Sequence, residues 1–71
     1  MVEMIEVVSS NVNAVGYDKK TKEMFVEFKG INVYTYYDVP EETFNALVDA
    51  PSVGKYLNVH IKGTFKYLKG E

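Results

Sequence analysis

The stretch "VYTYYDVPEETFNALV", Val33 to Val48, changes its period in the middle, and that change decides the fold. The tyrosines first alternate, with Tyr34 and Tyr36 on one face and Thr35 and Tyr37 on the other, as a strand requires. Tyr37 breaks the pattern. Pro40 suits the first turn of a helix, where its missing N–H goes unused. Glu41 and Glu42 then suit the positive end of that helix. Phe44, Leu47 and Val48 follow at i, i+3 and i+4, a single apolar stripe. A strand therefore hands over to an amphipathic helix within a few residues of Pro40.

Working outward, the N-terminal half reads as antiparallel strands. Glu3–Val8 is short and apolar with two glutamates. Asn11–Asp18 follows the polar break at Ser9 and Ser10. Asp18–Glu23 is charged and turn-tolerant. Glu23–Lys29 alternates, with Met24, Val26 and Phe28 on one face and Phe25, Glu27 and Lys29 on the other. Gly30 supplies the next turn, and Ile31 leads into the strand that holds Tyr34. Toward the C-terminus, Pro51 stops the first helix and Ser52 is placed as the N-cap of a second. Val53, Tyr56, Leu57, His60 and Ile61 form its apolar stripe, and Gly63 is its stop. The tail from Thr64 either frays or is anchored by Phe65 and Tyr67. The expectation is one α+β domain over residues 1–71. Its sheet is a small antiparallel β-meander of three to four strands, covered on one face by two short C-terminal helices.

Composition narrows the function. With 71 residues, no cysteine and one histidine, the chain has no disulfide, no thiolate metal site and no histidine cluster. A core this small supplies roughly 3–5 kcal/mol and must do so by packing. Nothing approaches the ~20 apolar residues of a membrane span, and the opening lacks the basic start and unbroken apolar run of a secretory signal. A cytoplasmic chain without membrane contact, cofactor or metal is expected. The net charge of −2 conceals an asymmetry. Residues 1–50 carry nine acids and four lysines, whereas residues 51–71 carry Lys55, Lys62, Lys66 and Lys69 against one glutamate. There is no arginine to clamp phosphate bidentately.

No catalytic constellation emerges. Glu41 and Glu42 point about 100° apart on a helix and do not face each other. Ser9 and Ser10 have only His60 as a base, with no local carboxylate to orient it, and are better suited to capping the turn between the first strands. Ser52-Val53-Gly54-Lys55 is anion-friendly but lacks the full phosphate-loop spacing. Capping by Ser52 and close packing at Gly54 account for it. Asn58 is placed to bind a backbone group, and His60 to lie on the apolar stripe.

Taken in order, Ser9-Ser10, Gly16-Tyr17, Tyr34-x-Tyr36, Val39-Pro40 and Ala50-x-Ser52-x-Gly54 with Asn58 resemble the KTSC domain, over about residues 7–65. That small family is named for a C-terminal extension of some lysyl-tRNA synthetases, and it also occurs as stand-alone bacterial or phage proteins. The resemblance implies the fold above and a domain identity; the family's association with a tRNA synthetase, together with the lysine cluster from Lys55 to Lys69, makes a non-catalytic module that binds single-stranded RNA or tRNA the leading expectation. Lys55, Lys62 and Lys66 are the candidate phosphate contacts, and Phe25 and Tyr37 are the candidate exposed aromatics of the open sheet face. Tyr34 and Tyr36 either fill the core or form a stacking platform. The competing expectation is a protein partner or self-association. It rests on the acidic first half, the missing arginines and an open sheet face.

Overall fold

The computed structural model describes residues 2–30 and 32–70. Met1, Ile31 and Glu71 lie outside the described residues, and with them the expected lead of Ile31 into its strand. Five strands form one antiparallel sheet in simple chain order: β1 (Met4–Glu6), β2 (Val12–Asp18), β3 (Glu23–Phe28), β4 (Val33–Tyr36) and β5 (Tyr67–Lys69). Between β4 and β5 come α1 (Glu41–Asp49) and α2 (Val53–Tyr56), the latter continuing as a π-helical turn through Leu57–Ile61. The expected α+β meander with two short helices is present, and β1 pairs with β2 of its own chain.

The fifth strand is the difference. The tail neither frays nor is held by side chains alone. Residues 67–69 pair with Tyr36, Thr35 and Tyr34 in turn. The segment is too short and too rich in lysine to announce a strand by its pattern. Its pairing follows from β4, whose free edge would otherwise be left without backbone partners.

Turn chemistry sets the meander. The Asp18 carboxylate accepts from the backbone N–H of Lys20 and Thr21 at 2.9 and 3.4 Å, and Lys22 takes a positive φ of 60° to close the β2–β3 turn. Gly30, with φ 69°, turns β3 into the approach to β4. A bulge between Val12 and Ala14 shifts the β2–β3 register. Because of it, Val12 and Val15, not Val12 and Ala14, share the helix-facing side with Val26 and Phe28.

That helix-facing side is the core. Val12, Val15, Met24, Val26 and Tyr36 lie beneath Leu47, Val53, Leu57 and Ile61, all buried. The alternation expected for Met24, Val26 and Phe28 is observed. Tyr36 is 1% exposed, which settles its ring as core. Tyr34 lies on the same side of β4 but is only half-buried. Glu41 and Glu42 occupy the first turn of α1, and Pro40 sits just before it in an extended conformation. The Ser52 hydroxyl accepts from the Lys55 N–H at 3.3 Å, so it caps α2 as expected.

His60 departs from expectation. It is exposed, whereas Leu57 and Ile61 on either side of it are buried. The π turn is the reason: the Lys62 N–H reaches back five residues to the Leu57 carbonyl at 2.8 Å. A wider turn advances less per residue, so Ile61 rotates into the centre of the stripe and His60 falls back over Tyr56. Their rings meet at 4.4 Å.

Burial holds the Tyr36 phenol above its usual value, and the neighbouring Tyr34 and Tyr67 phenols push it in the same direction. A raised folded value means that the contribution to stability is complete below about pH 10, where the unfolded phenol titrates, and is lost as pH climbs through the folded value. Stability measured by urea melts from pH 8 to 11.5 should fall on the alkaline side, and the Tyr36→Phe variant should show a shallower fall. An identical slope in the variant would exclude Tyr36 as its source.

Candidate functional site

The Ser9–Asn11 loop and the start of α2 are far apart in sequence and meet in space. Asn11 is anchored through its backbone, since its carbonyl accepts from the Lys29 N–H at 2.9 Å. Its side chain turns back on the loop. The Ser9 hydroxyl donates to Asn11 Oδ1 at 3.1 Å and accepts from the Asn11 N–H at 3.4 Å. Ser9 thus caps this turn, as its position between the first two strands implied. Gly54 faces the loop directly. A Cβ on Gly54 would stand 2.8 Å from Asn11 Oδ1 and 3.4 Å from Ser9 Oγ. The glycine is there for close approach of α2 to the loop, as its position beside the cap suggested.

The meeting leaves an open cleft of about 490 Å³, bordered by Ser9, Ser10, Asn11, Ser52, Lys55 and Asn58 among others. Its polar groups are hydroxyls and amides, which donate and accept, and the Lys55 ammonium, which only donates. Asn58 is exposed on this cleft. His60 borders a different, more apolar groove on the far side of Lys55, with Pro51, Tyr56 and Val59.

A second groove, of about 200 Å³, adjoins the first through Asn11. Phe28, Lys29, Tyr34 and Lys62 complete it. Here the rings matter. Phe28 meets Tyr34 edge-on at 5.1 Å, and Tyr34 stacks on Tyr67 of β5 at 5.4 Å with 17° between planes. The Lys62 ammonium sits 5.5 Å from the centroid of the Phe28 ring, a cation–π distance. Tyr67 is 57% exposed, so the aromatic run continues to the surface.

The residues singled out from sequence therefore divide between two faces. Lys55 and Lys62 border the two joined grooves on the helix side, together with Ser52, Gly54, Asn58 and Tyr34. Phe25 pairs with Gly16 and Thr35 on the outer face of the sheet, where it is half-buried. The Tyr37 N–H donates to the Lys66 carbonyl at 2.9 Å. Both residues lie just beyond the ends of β4 and β5, and neither borders the two joined grooves. The aromatics that lie beside a groove lysine are Phe28 and Tyr34. Asn11 and Lys29 also border the grooves and Tyr67 stacks beside them; of these three only Asn11 has a local signal in the sequence, the Ser-x-Asn spacing of its turn.

Other motif residues are structural. A Cβ on Gly16 would stand 2.9 Å from Val2 Cγ1 and 3.1 Å from the Glu3 carbonyl, so this glycine lets the approach to β1 lie flat on β2. The Tyr17 hydroxyl donates to the Val39 carbonyl, and its ring stacks on Phe44 at 5.2 Å. Among the described residues no group of three or more metal-ligating side chains occurs, and no helix is long and apolar enough to cross a membrane.

The comparisons with known proteins agree with one another. The family model described as KTSC domain matches residues 8–65. A protein of Tsukamurella paurometabola is 38% identical over 63 residues, covering 89% of this chain and 94% of its own length. The lysine–tRNA ligase of Nostoc punctiforme is 38% identical over 58 residues, or 82% of this chain, but the match takes up 10% of the ligase. Among solved structures, the crystal structure of a KTSC domain protein from Yersinia pestis superposes with a TM-score of 0.96 over the whole of both chains, at 28% identity.

Replacing Gly54 by Ala adds helix propensity of about 0.8–1.0 kcal/mol but forces its Cβ against Asn11. The clash should win in the natural background and vanish in the Asn11→Ala background. A double-mutant cycle by urea melts is expected to give a coupling of about 0.5 kcal/mol or more. Additive effects would mean that the loop is not braced by α2.

Proposed function

This chain belongs to the KTSC domain family, and from that premise we propose that it is a non-catalytic module that binds single-stranded RNA or a single-stranded element of tRNA. The observation that carries the proposal is the pair of grooves joined at Asn11. One offers hydroxyls, amides and Lys55, and the other offers Phe28, Tyr34 and Lys62. Sugar and phosphate groups suit the first, since they need donors and acceptors together with positive charge. An unstacked base suits the margin of the second, where the exposed Tyr67 ring continues the Tyr34 stack, since every base presents a π-face to an aromatic ring.

The ligase relative adds context, because an enzyme named for tRNA carries a segment similar to this domain. The charge distribution supports the same side. Lys29, Lys55 and Lys62 border the grooves, whereas Glu3 and Glu6 lie at β1 and Glu41 and Glu42 at the start of α1. The net negative charge is thus not spread over the proposed contact surface. Lysine in place of arginine suits contact with the backbone rather than base-specific readout.

Fluorescence anisotropy with a mixed-sequence single-stranded RNA, over a salt series, tests the proposal. Binding should weaken with salt. The Lys55→Glu/Lys62→Glu variant should lose most of the affinity and flatten the log–log salt slope by about 1.4, two phosphate contacts on single strands. Lys66→Glu, which borders neither groove, is the control for net charge and should bind as the natural chain does. Unchanged affinity in the double variant, or an equal loss from Lys66→Glu, would overturn this mode of binding.

A further inference from the structure

The sheet is open, and its two free edges are opposites. β1 ends it on one side and β5 on the other. Around them the chain reads Glu3-Met4-Ile5-Glu6 and Lys66-Tyr67-Leu68-Lys69. Each is an apolar pair between two charges, and the charges differ in sign. Among the described residues, Met4, Ile5, Tyr67 and Leu68 are four of seven exposed large hydrophobic side chains, from 36% to 62% accessible. Exposed apolar surface is thus concentrated at the two edges instead of being scattered singly.

The backbone is free there too. The Lys66 carbonyl accepts from Tyr37, and the Gly70 N–H donates to Val33. By alternation, the main-chain groups of Tyr67 and Lys69 face away from the sheet. On the other side the Val7 N–H donates to the Asn13 carbonyl, which turns those of Met4 and Glu6 outward.

We propose that copies of this chain associate head to tail, the acidic β1 edge of one pairing with the basic β5 edge of the next. Like edges are excluded by their own charges. Two β1 edges would set Glu3 and Glu6 against glutamates, and two β5 edges would set Lys66 and Lys69 against lysines. Lysine on an edge strand commonly guards against such pairing. Here that guard works against a second β5 and favours β1. Keeping the helices of both copies on one side makes the junction parallel. A register with Tyr67 beside Ile5 on the helix side then places Lys66 diagonal to Glu6, and Leu68 diagonal to Met4, on the outer face. The two patches are different surfaces, so the contact is heterologous and does not close at two copies. Both edge strands are three residues long, which keeps each junction weak and reversible.

Sedimentation equilibrium of the nucleic-acid-free chain, over a concentration series at low and high salt, decides the matter. Two charge-reversed variants complete the test: Glu3→Lys/Glu6→Lys, whose edges are both basic, and Lys66→Glu/Lys69→Glu, whose edges are both acidic. The natural chain should gain mass with concentration past the dimer and lose it with salt. Each variant alone, checked for folding by circular dichroism, should associate more than about tenfold more weakly. An equimolar mixture of the two should regain the lost mass, which neither a misfolded variant nor an unrelated contact would do. A natural chain that stays monomeric or stops at a dimer would overturn the proposal. So would folded variants that associate unaided, or a mixture that stays monomeric.

Discussion

Val39 has both of its backbone groups taken. Its N–H donates to the Lys22 carbonyl in the β2–β3 turn, and its carbonyl accepts from the Tyr17 hydroxyl near the end of β2. Its side chain is fully buried, and Pro40 follows with no N–H to satisfy. One residue therefore ties the point where β4 gives way to α1 to the far end of the neighbouring hairpin. The stacking of Tyr17 on Phe44 fixes the first turns of α1 over the same strands. The placement of α2 depends on that anchor, because only Ala50, Pro51 and Ser52 separate the two helices. The meeting of α2 with the Ser9–Asn11 loop depends on it in turn.

Much of this architecture was legible in the sequence. The switch of period at Pro40, the cap at Ser52, the alternation of Met24, Val26 and Phe28, and the stop at Gly63 are local signals, and local interactions decide them. What escaped was decided at a distance. β5 pairs because β4 offers an edge, not because "YLK" has strand character. His60 leaves the stripe because a π turn changes the phase, and a fixed period of 3.6 cannot anticipate that. The bulge at Val12 and Ala14 exchanges which neighbours share a face. Of the candidate site, the individual residues Ser52, Gly54, Lys55 and Asn58 were visible. Their meeting with Ser9 and Asn11 was not, since no spacing reports the approach of a helix to a loop some forty residues away.

The two faces of the sheet have different tasks. The helix side spends its apolar residues on the core and leaves two grooves at the rim, where Lys55 and Lys62 stand over hydroxyls and rings. The outer side carries Phe25, Thr35 and Glu27 across the central strands and Met4 and Leu68 at the edges. A nucleic-acid strand on the grooves and a second copy on an edge would therefore use separate surfaces. Tyr67 is the exception, since it belongs both to the edge strand and to the aromatic run that ends at Phe28.

The position of β5 also has a kinetic consequence. β1 to β4 are joined by short turns, and their contacts are near in sequence. The β4–β5 ladder instead closes a loop of about thirty residues containing both helices, so its entropy cost is met after the meander has formed. The last strand to arrive is held by three residue pairs, and strands held so lightly are the first to open. Each such opening takes Tyr67 off the Tyr34 and Tyr36 rings and frees the edge of β4. The chain thus carries a local fluctuation at the margin of its aromatic groove, with an amplitude set by a single short strand.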